Sequence, residues 1–299
     1  MSSHSPEHYK DHYFVPDASA YPLLCSIALF FIAMGGAAFL NGYGYGSKLM
    51  SAGGLGMATL LFIWFRKVIN ESPDYNMDVD KSFRMGMSWF IFSEVMFFAA
   101  FFGALYYLRM LAVPWLAETE LLWPGFEASW PSSGPAGAQV LAGSVPTANE
   151  ILEGTKYSLV DPLHLPLYNT LLLLTSSITL TISHHALRAN NRMQTIIWLA
   201  ITVALGIWFL FLQAEEYIEA YQHLGLTLGT GVYGSTFFML TGFHGFHVTL
   251  GAFILFIVLL RCIKGHFTPE RHFVFEAGAW YWHFVDVVWV GLFIFVYIL

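Results

Sequence analysis

The chain has 299 residues, of which 57% are hydrophobic, 18% aromatic and only 11% charged. A soluble protein carries about 25% charged residues, and here the apolar residues fall in long runs, so composition excludes a soluble globular domain and predicts an all-α membrane protein. The net charge of −7 says little by itself, because charge in such a chain acts by location; the thirteen Lys and Arg form no aromatic-interleaved patch, which argues against nucleic acid as a partner.

Residues 1–19 read as a polar tail without a basic segment leading into an apolar one, so no cleavable signal is visible. His4, His8 and His12 would stack on a helix, but Pro6 sits among them, and a solvated tail is the better reading than a metal stripe. Seven spans follow, at about 20–41, 48–69, 85–112, 164–187, 194–217, 233–260 and 277–299. The first two form a hairpin over 20–69, and Gly53, Gly54 and Gly56 in the second suit a close helix contact. A polar loop at 70–84 leads to a five-helix bundle over 85–299, interrupted by a long Pro-, Gly- and Trp-rich loop at 113–163. With the N-terminus inside, ten Lys and Arg lie in inside segments and three outside, so the C-terminus is expected outside. Cys25 and Cys262 are too few and too far apart for a disulfide framework or a zinc site.

Glu94 is the only carboxylate or base between Met85 and Leu108. As the tenth residue of its span it lies about 15 Å in, near the midplane. An acid at that depth is costly unless protonated, partnered or facing a polar cavity, and it marks a functional position. Phe90, Phe97, Phe98 and Phe101 flank it, which favours the neutral acid.

In the last span Glu276, His283 and Asp286 fall on one arc, with Trp282 and His283 placed to donate to Asp286. The sixth span adds His244 and His247. Together these make a protonatable polar seam or a set of helix-locking hydrogen bonds. His184 and His185 extend the set of histidines, yet no metal ligand set is read from the sequence, because intramembrane histidines more often hydrogen-bond across helices. Trp64 and Arg66 end the second span and Arg261 the sixth; they suit lipid headgroups or simple anchoring at the inner face. Glu215 and Glu216 close the fifth span and are expected to be solvated.

Five stretches carry a resemblance: SerGluValMetPhePhe at 93–98, ThrIleSerHisHisAlaLeu at 181–187, GlyValTyrGlySerThrPhePhe at 231–238, GlyPheHisGlyPheHisVal at 242–248, and PheGluAlaGlyAlaTrpTyrTrpHisPheValAspValValTrp at 275–289. The chain resembles subunit III of haem–copper cytochrome c oxidase of the aa3 type from about residue 14 onward. The resemblance implies seven helices in which one and two are separated from three to seven by a V-shaped lipid cleft. It implies a non-catalytic subunit of a proton-pumping enzyme that reduces oxygen with electrons from cytochrome c. Haem a, haem a3 and copper would reside in partner subunits I and II; this chain would stabilise subunit I, bind phospholipids and support proton uptake. Glu94 matches the family's carbodiimide-reactive acid, and Trp64, Arg66 and Arg261 match lipid-holding positions. The expected location is a bacterial inner membrane, or the mitochondrial inner membrane in a eukaryote. Residues 113–163 depart from the pattern in length, and TrpProSerSerGly at 130–134 stands where the family has two prolines. Other classes stay open: a quinol-oxidase or nitric-oxide-reductase relative, a proton-coupled transporter using Glu94, and a haem-binding protein using His244 and His283.

Overall fold

The computed structural model describes Val15, residues 18–71, Tyr75, 77–119, Leu121, Phe126, 128–132, Gly134 and 157–299. His4, His8, His12 and most of the loop at 113–163 lie outside the described residues. Helices account for all regular structure among the described residues, and seven of them are long and apolar enough to cross a membrane. They are α1 (Tyr21–Leu40), α2 (Gly46–Glu71), α3 (Met77–Tyr107), α4 (Leu165–Arg188), α5 (Arg192–Gln222), α6 (Val232–Lys264) and α7 (Phe273–Leu292). A π turn (Leu108–Ala112) and a short helix (Val113–Ala117) continue α3, and a second π turn (Phe293–Ile298) continues α7. The contacts divide the chain into two compact units, Met1–Met85 and Gly86–Leu299.

In the first unit α1 packs along α2, and glycine sets the separation. A Cβ on Gly35 would lie 2.3 Å from the Met50 backbone nitrogen, and one on Gly53 would lie 2.8 Å from that of Ile32. Of the three glycines read as a contact face, Gly53 alone meets α1, while a Cβ at Gly54 or Gly56 would face open space; the helix runs unbroken through all three. The third helix begins at Met77, earlier than its apolar run suggests. Asp78 and Asp80 occupy its first turn, where a carboxylate complements the helix dipole, and each pairs one turn on, with Lys81 at 3.1 Å and Arg84 at 2.7 Å. Hydropathy missed this turn because Asp78 and Asp80 outweigh the buried Val79 between them.

In the second unit the core forms around α7. Trp282 is fully buried and lies between Gly206 of α5 and Gly251 of α6; a Cβ at these positions would approach its ring to 2.5 and 2.9 Å. Its indole N–H donates to Ser176 Oγ of α4 at 2.8 Å, and Trp289, two turns on, donates to Thr170 Oγ1 at 3.0 Å. α4 thus carries buried hydroxyls that meet two neighbours: Thr170, Ser176 and Ser177 face α7, while Thr179 meets Thr202 and Ser183 donates to the Thr195 carbonyl, both on α5. Thr170, Ser176 and Thr179 each donate their own hydrogen to a carbonyl one turn back on α4, which leaves the oxygen free to meet a neighbouring helix.

At the far end of α5's first turn, the Arg192 guanidinium donates to the Cys262 carbonyl at 3.2 Å and to that of Ile263. These carbonyls lie at the C-terminus of α6, where a cation is favoured, and that of Cys262 also accepts the Gly265 amide at 3.0 Å. Gly265 follows with φ of 75°, the left-handed conformation of a helix-ending glycine.

Gly206→Val should force the Trp282 ring aside and cost about 1–3 kcal/mol. The expected outcome is a lowered thermal midpoint of the detergent-solubilised protein, with Gly54→Val, where a Cβ meets open space, close to unchanged.

Candidate functional site

Glu94 on α3 has a partner. Its Oε2 lies 2.8 Å from Nε2 of His247 on α6. The other ring nitrogen, Nδ1, is 2.6 Å from the Phe243 carbonyl one turn back on the same helix. A carbonyl only accepts, so Nδ1 carries a hydrogen and donates it. Nε2 then either accepts the O–H of a neutral Glu94 or, as part of an imidazolium, donates to the carboxylate. In both forms a single proton lies between the two side chains. The sequence named no partner for Glu94, because spacing along α3 cannot reveal a group 153 residues away.

Aromatic rings enclose the pair. Phe98, 2% exposed, meets the imidazole edge-on at 4.9 Å, Phe97 lies at 5.8 Å, and Tyr281 of α7 stacks on it at 6.4 Å. Phe90 stacks in turn on Tyr281 at 6.2 Å, and Phe101 lies 5.2 Å from Phe243. The His247 side chain is 8% exposed and that of Glu94 22%, so the acid keeps one open side while the base is covered.

The other polar residues do not form one seam. His244 is buried with Nε2 on the Val285 carbonyl at 3.1 Å and its ring against Phe209 and Trp289. His283 Nδ1 lies 3.1 Å from Ser177 Oγ, and the Asp286 carboxyl shares that same hydroxyl. Trp282 gives its N–H to Ser176 and not to Asp286, because its ring is turned toward α4. Glu276 belongs to a third group at the start of α7, with His272 Nε2 at 3.2 Å and His184 Nε2 at 3.6 Å from its Oε1.

Glu216 differs most from expectation. It is 1% exposed, because α5 runs a turn further than its apolar run, and its Oε1 accepts the Tyr297 hydroxyl at 2.5 Å. The adjacent Tyr217 hydroxyl lies 2.6 Å from Thr241 Oγ1. Sequence reasoning also passed over the α4 hydroxyls; the buried Ser and Thr recurring through 170–183 were the available signal.

The proposed lipid-facing residues sit at helix ends. In the first unit Trp64 stacks on Tyr21 at 5.9 Å, with Arg66 exposed two residues on. In the second, the Arg261 guanidinium lies over the Phe267 ring at 4.7 Å, and its buried Nε makes no hydrogen bond. Near the described end of the long loop, Trp130 meets Tyr233 at 5.8 Å beneath Arg109, and the Tyr233 amide donates to the Ser132 carbonyl at 3.0 Å.

Seven helices long and apolar enough to cross a membrane, with Glu94 paired to His247 and the Trp282 and Trp289 indoles bonded across helices, define a multi-pass helical membrane protein. The family model for cytochrome c oxidase subunit III matches residues 11–131 and 147–299. Relatives named cytochrome c oxidase subunit 3 from Prototheca wickerhamii and Oncorhynchus mykiss are each 38% identical, over 291 and 293 residues. The first alignment covers 96% of this chain and 97% of the relative, the second 97% and 98%. One from Pongo abelii is 41% identical over 256 residues, 85% of this chain and 84% of its own. The chain belongs to the cytochrome c oxidase subunit III family. It is thus a subunit of an oxidase complex, with other oxidase subunits as partners. The stretch between the two matched segments falls within the long loop at 113–163.

Glu94→Leu should leave His247 Nε2 without a partner and cost about 1–3 kcal/mol, the range for an unsatisfied buried group. Glu94→Gln can still donate an amide N–H to that nitrogen and should cost less. Thermal unfolding of both variants in detergent orders them; equal losses would show that the pair does not hold α3 to α6.

Proposed function

We propose that this chain is the non-catalytic subunit III of a proton-pumping terminal oxidase that reduces oxygen to water with electrons from cytochrome c. The observation that carries the reading is the match to the subunit III family over almost the whole chain. On this reading haem a, haem a3 and copper belong to partner subunits I and II, and this chain stabilises subunit I and supports proton uptake. The ten-to-three division of Lys and Arg supports an inside N-terminus and an outside C-terminus. The site is a bacterial or mitochondrial inner membrane.

Glu94 takes the role of the carbodiimide-reactive acid. Its open side admits a reagent, and the aromatic surroundings supply the apolar medium in which such a reagent partitions. Its bond to His247 keeps one proton in place between α3 and α6, which suits a group that shelters a proton path in a neighbouring subunit and does not itself conduct. Arg261, with a buried and unpartnered Nε, offers a donor to an anionic or zwitterionic headgroup, and Arg66 beside Trp64 offers a second at another helix end.

Glu94→Gln in the intact complex should leave the haem optical spectrum unchanged and alter electron transfer only modestly; collapse of the haem bands would refute a supporting role. Arg66→Ala with Arg261→Ala should retain fewer phospholipids in native mass spectrometry, and equal retention would remove the lipid assignment. Purification in mild detergent identifies the donor: a partner subunit with a dinuclear copper site indicates cytochrome c, and its absence indicates the quinol branch.

A further inference from the structure

His184 near the C-terminus of α4, His272 at the N-cap of α7 and Glu276 one turn into α7 bring three ligand atoms within 4.8 Å of one another. We propose that they form a binding site for a divalent transition-metal ion of the zinc type, joining the end of α4 to the start of α7.

The first argument is the orientation of His272. Its Nδ1 lies 3.1 Å from the Thr268 carbonyl, which can only accept, so that nitrogen carries the hydrogen. The lone pair of Nε2 is thus left without a hydrogen-bond partner, with Glu276 Oε1 3.2 Å from that nitrogen. A backbone carbonyl on the far ring nitrogen is the arrangement that holds metal-ligating histidines in the correct tautomer.

The second argument is geometric. His184 Nε2 and His272 Nε2 are both buried, yet neither makes a hydrogen bond, although Glu276 Oε1 is 3.6 and 3.2 Å away. A proton bridges two atoms only when it lies near the line between them. A metal ion sits off that line. With zinc–nitrogen and zinc–oxygen bonds of about 2.0–2.1 Å, tetrahedral ligand atoms stand about 3.4 Å apart, and the two separations to Glu276 bracket that value.

The third argument is the surroundings. The two imidazoles meet edge-on with centroids 5.4 Å apart, and the His184 ring stacks on buried Phe275 at 5.5 Å, which restricts its rotation. The Glu276, His272 and His184 side chains are 15%, 8% and 28% exposed, so the site is sheltered with a way in past His184. Two imidazoles and one carboxylate favour zinc over magnesium or calcium, which take oxygen ligands. Three protein ligands leave a fourth position for water. The cysteine count gave no hint of this, and the histidines lie 88 residues apart in sequence.

The test uses the purified oxidase complex, stripped with a chelator, re-exposed to Zn²⁺ and freed of excess. Wild type should retain one more zinc ion per complex than the Glu276→Gln and His272→Asn complexes by elemental mass spectrometry. Diffraction at the zinc edge from zinc-soaked wild-type crystals should place an anomalous peak about 2–2.3 Å from all three ligand atoms. Equal zinc content in wild type and assembled variants, or no peak at the site, overturns the proposal. If the variants do not assemble, the wild-type map decides alone.

Discussion

A carboxylic acid inside an apolar helix must have somewhere to place its proton, and in this chain that place is His247. The constraint is severe because no water competes to satisfy either group and because each left alone would face hydrocarbon. The consequence is structural before it is chemical. The Glu94–His247 bond fixes α3 against α6, and the Phe243 carbonyl fixes the imidazole by holding Nδ1–H, so the pair is ordered at both ends. The rings of Phe97, Phe98 and Tyr281 then have a defined surface on which to pack.

The same requirement governs the rest of the second unit. Trp282 and Trp289 are large enough to fill the space between helices, but each brings an N–H that must be accepted. Ser176 and Thr170 accept them, and glycines at 206 and 251 leave room for the Trp282 ring. Glu216 and Tyr297 repeat the arrangement toward the ends of α5 and α7. Dispersion alone would let apolar helices rotate or slide against one another; these paired polar atoms select one register.

Glu94, Glu216, Trp282 and Trp289 each have a partner on another helical segment, and the long loop is tied through Trp130 and Ser132 to Tyr233. Leu55, Phe62 and Phe65 are exposed on α2.

Much of this was legible in the sequence. Runs of apolar residues gave the seven spans, because crossing a bilayer demands length and hydropathy that no local feature can disguise. Glu94 stood out for the same reason, as a lone acid in such a run, and the aromatic motif of the last span carried the family resemblance. Helix ends were less legible: the polar first turn of α3 and the last turn of α5 hold no hydropathy signal, and the second cost Glu216 its correct placement.

What the sequence could not determine was pairing. Periodicity places Glu276, His283 and Asp286 on one arc of α7 but says nothing of what faces that arc. In the fold Glu276 goes to His184 and His272, while His283 and Asp286 meet Ser177 of α4. The sequence by itself determined which segments must be helices in a membrane and which residues would be costly there, since both follow from transfer of single groups out of water. Only the tertiary structure decided which partner removes each cost, because that depends on helix rotation and register, set by contacts between residues far apart in the chain.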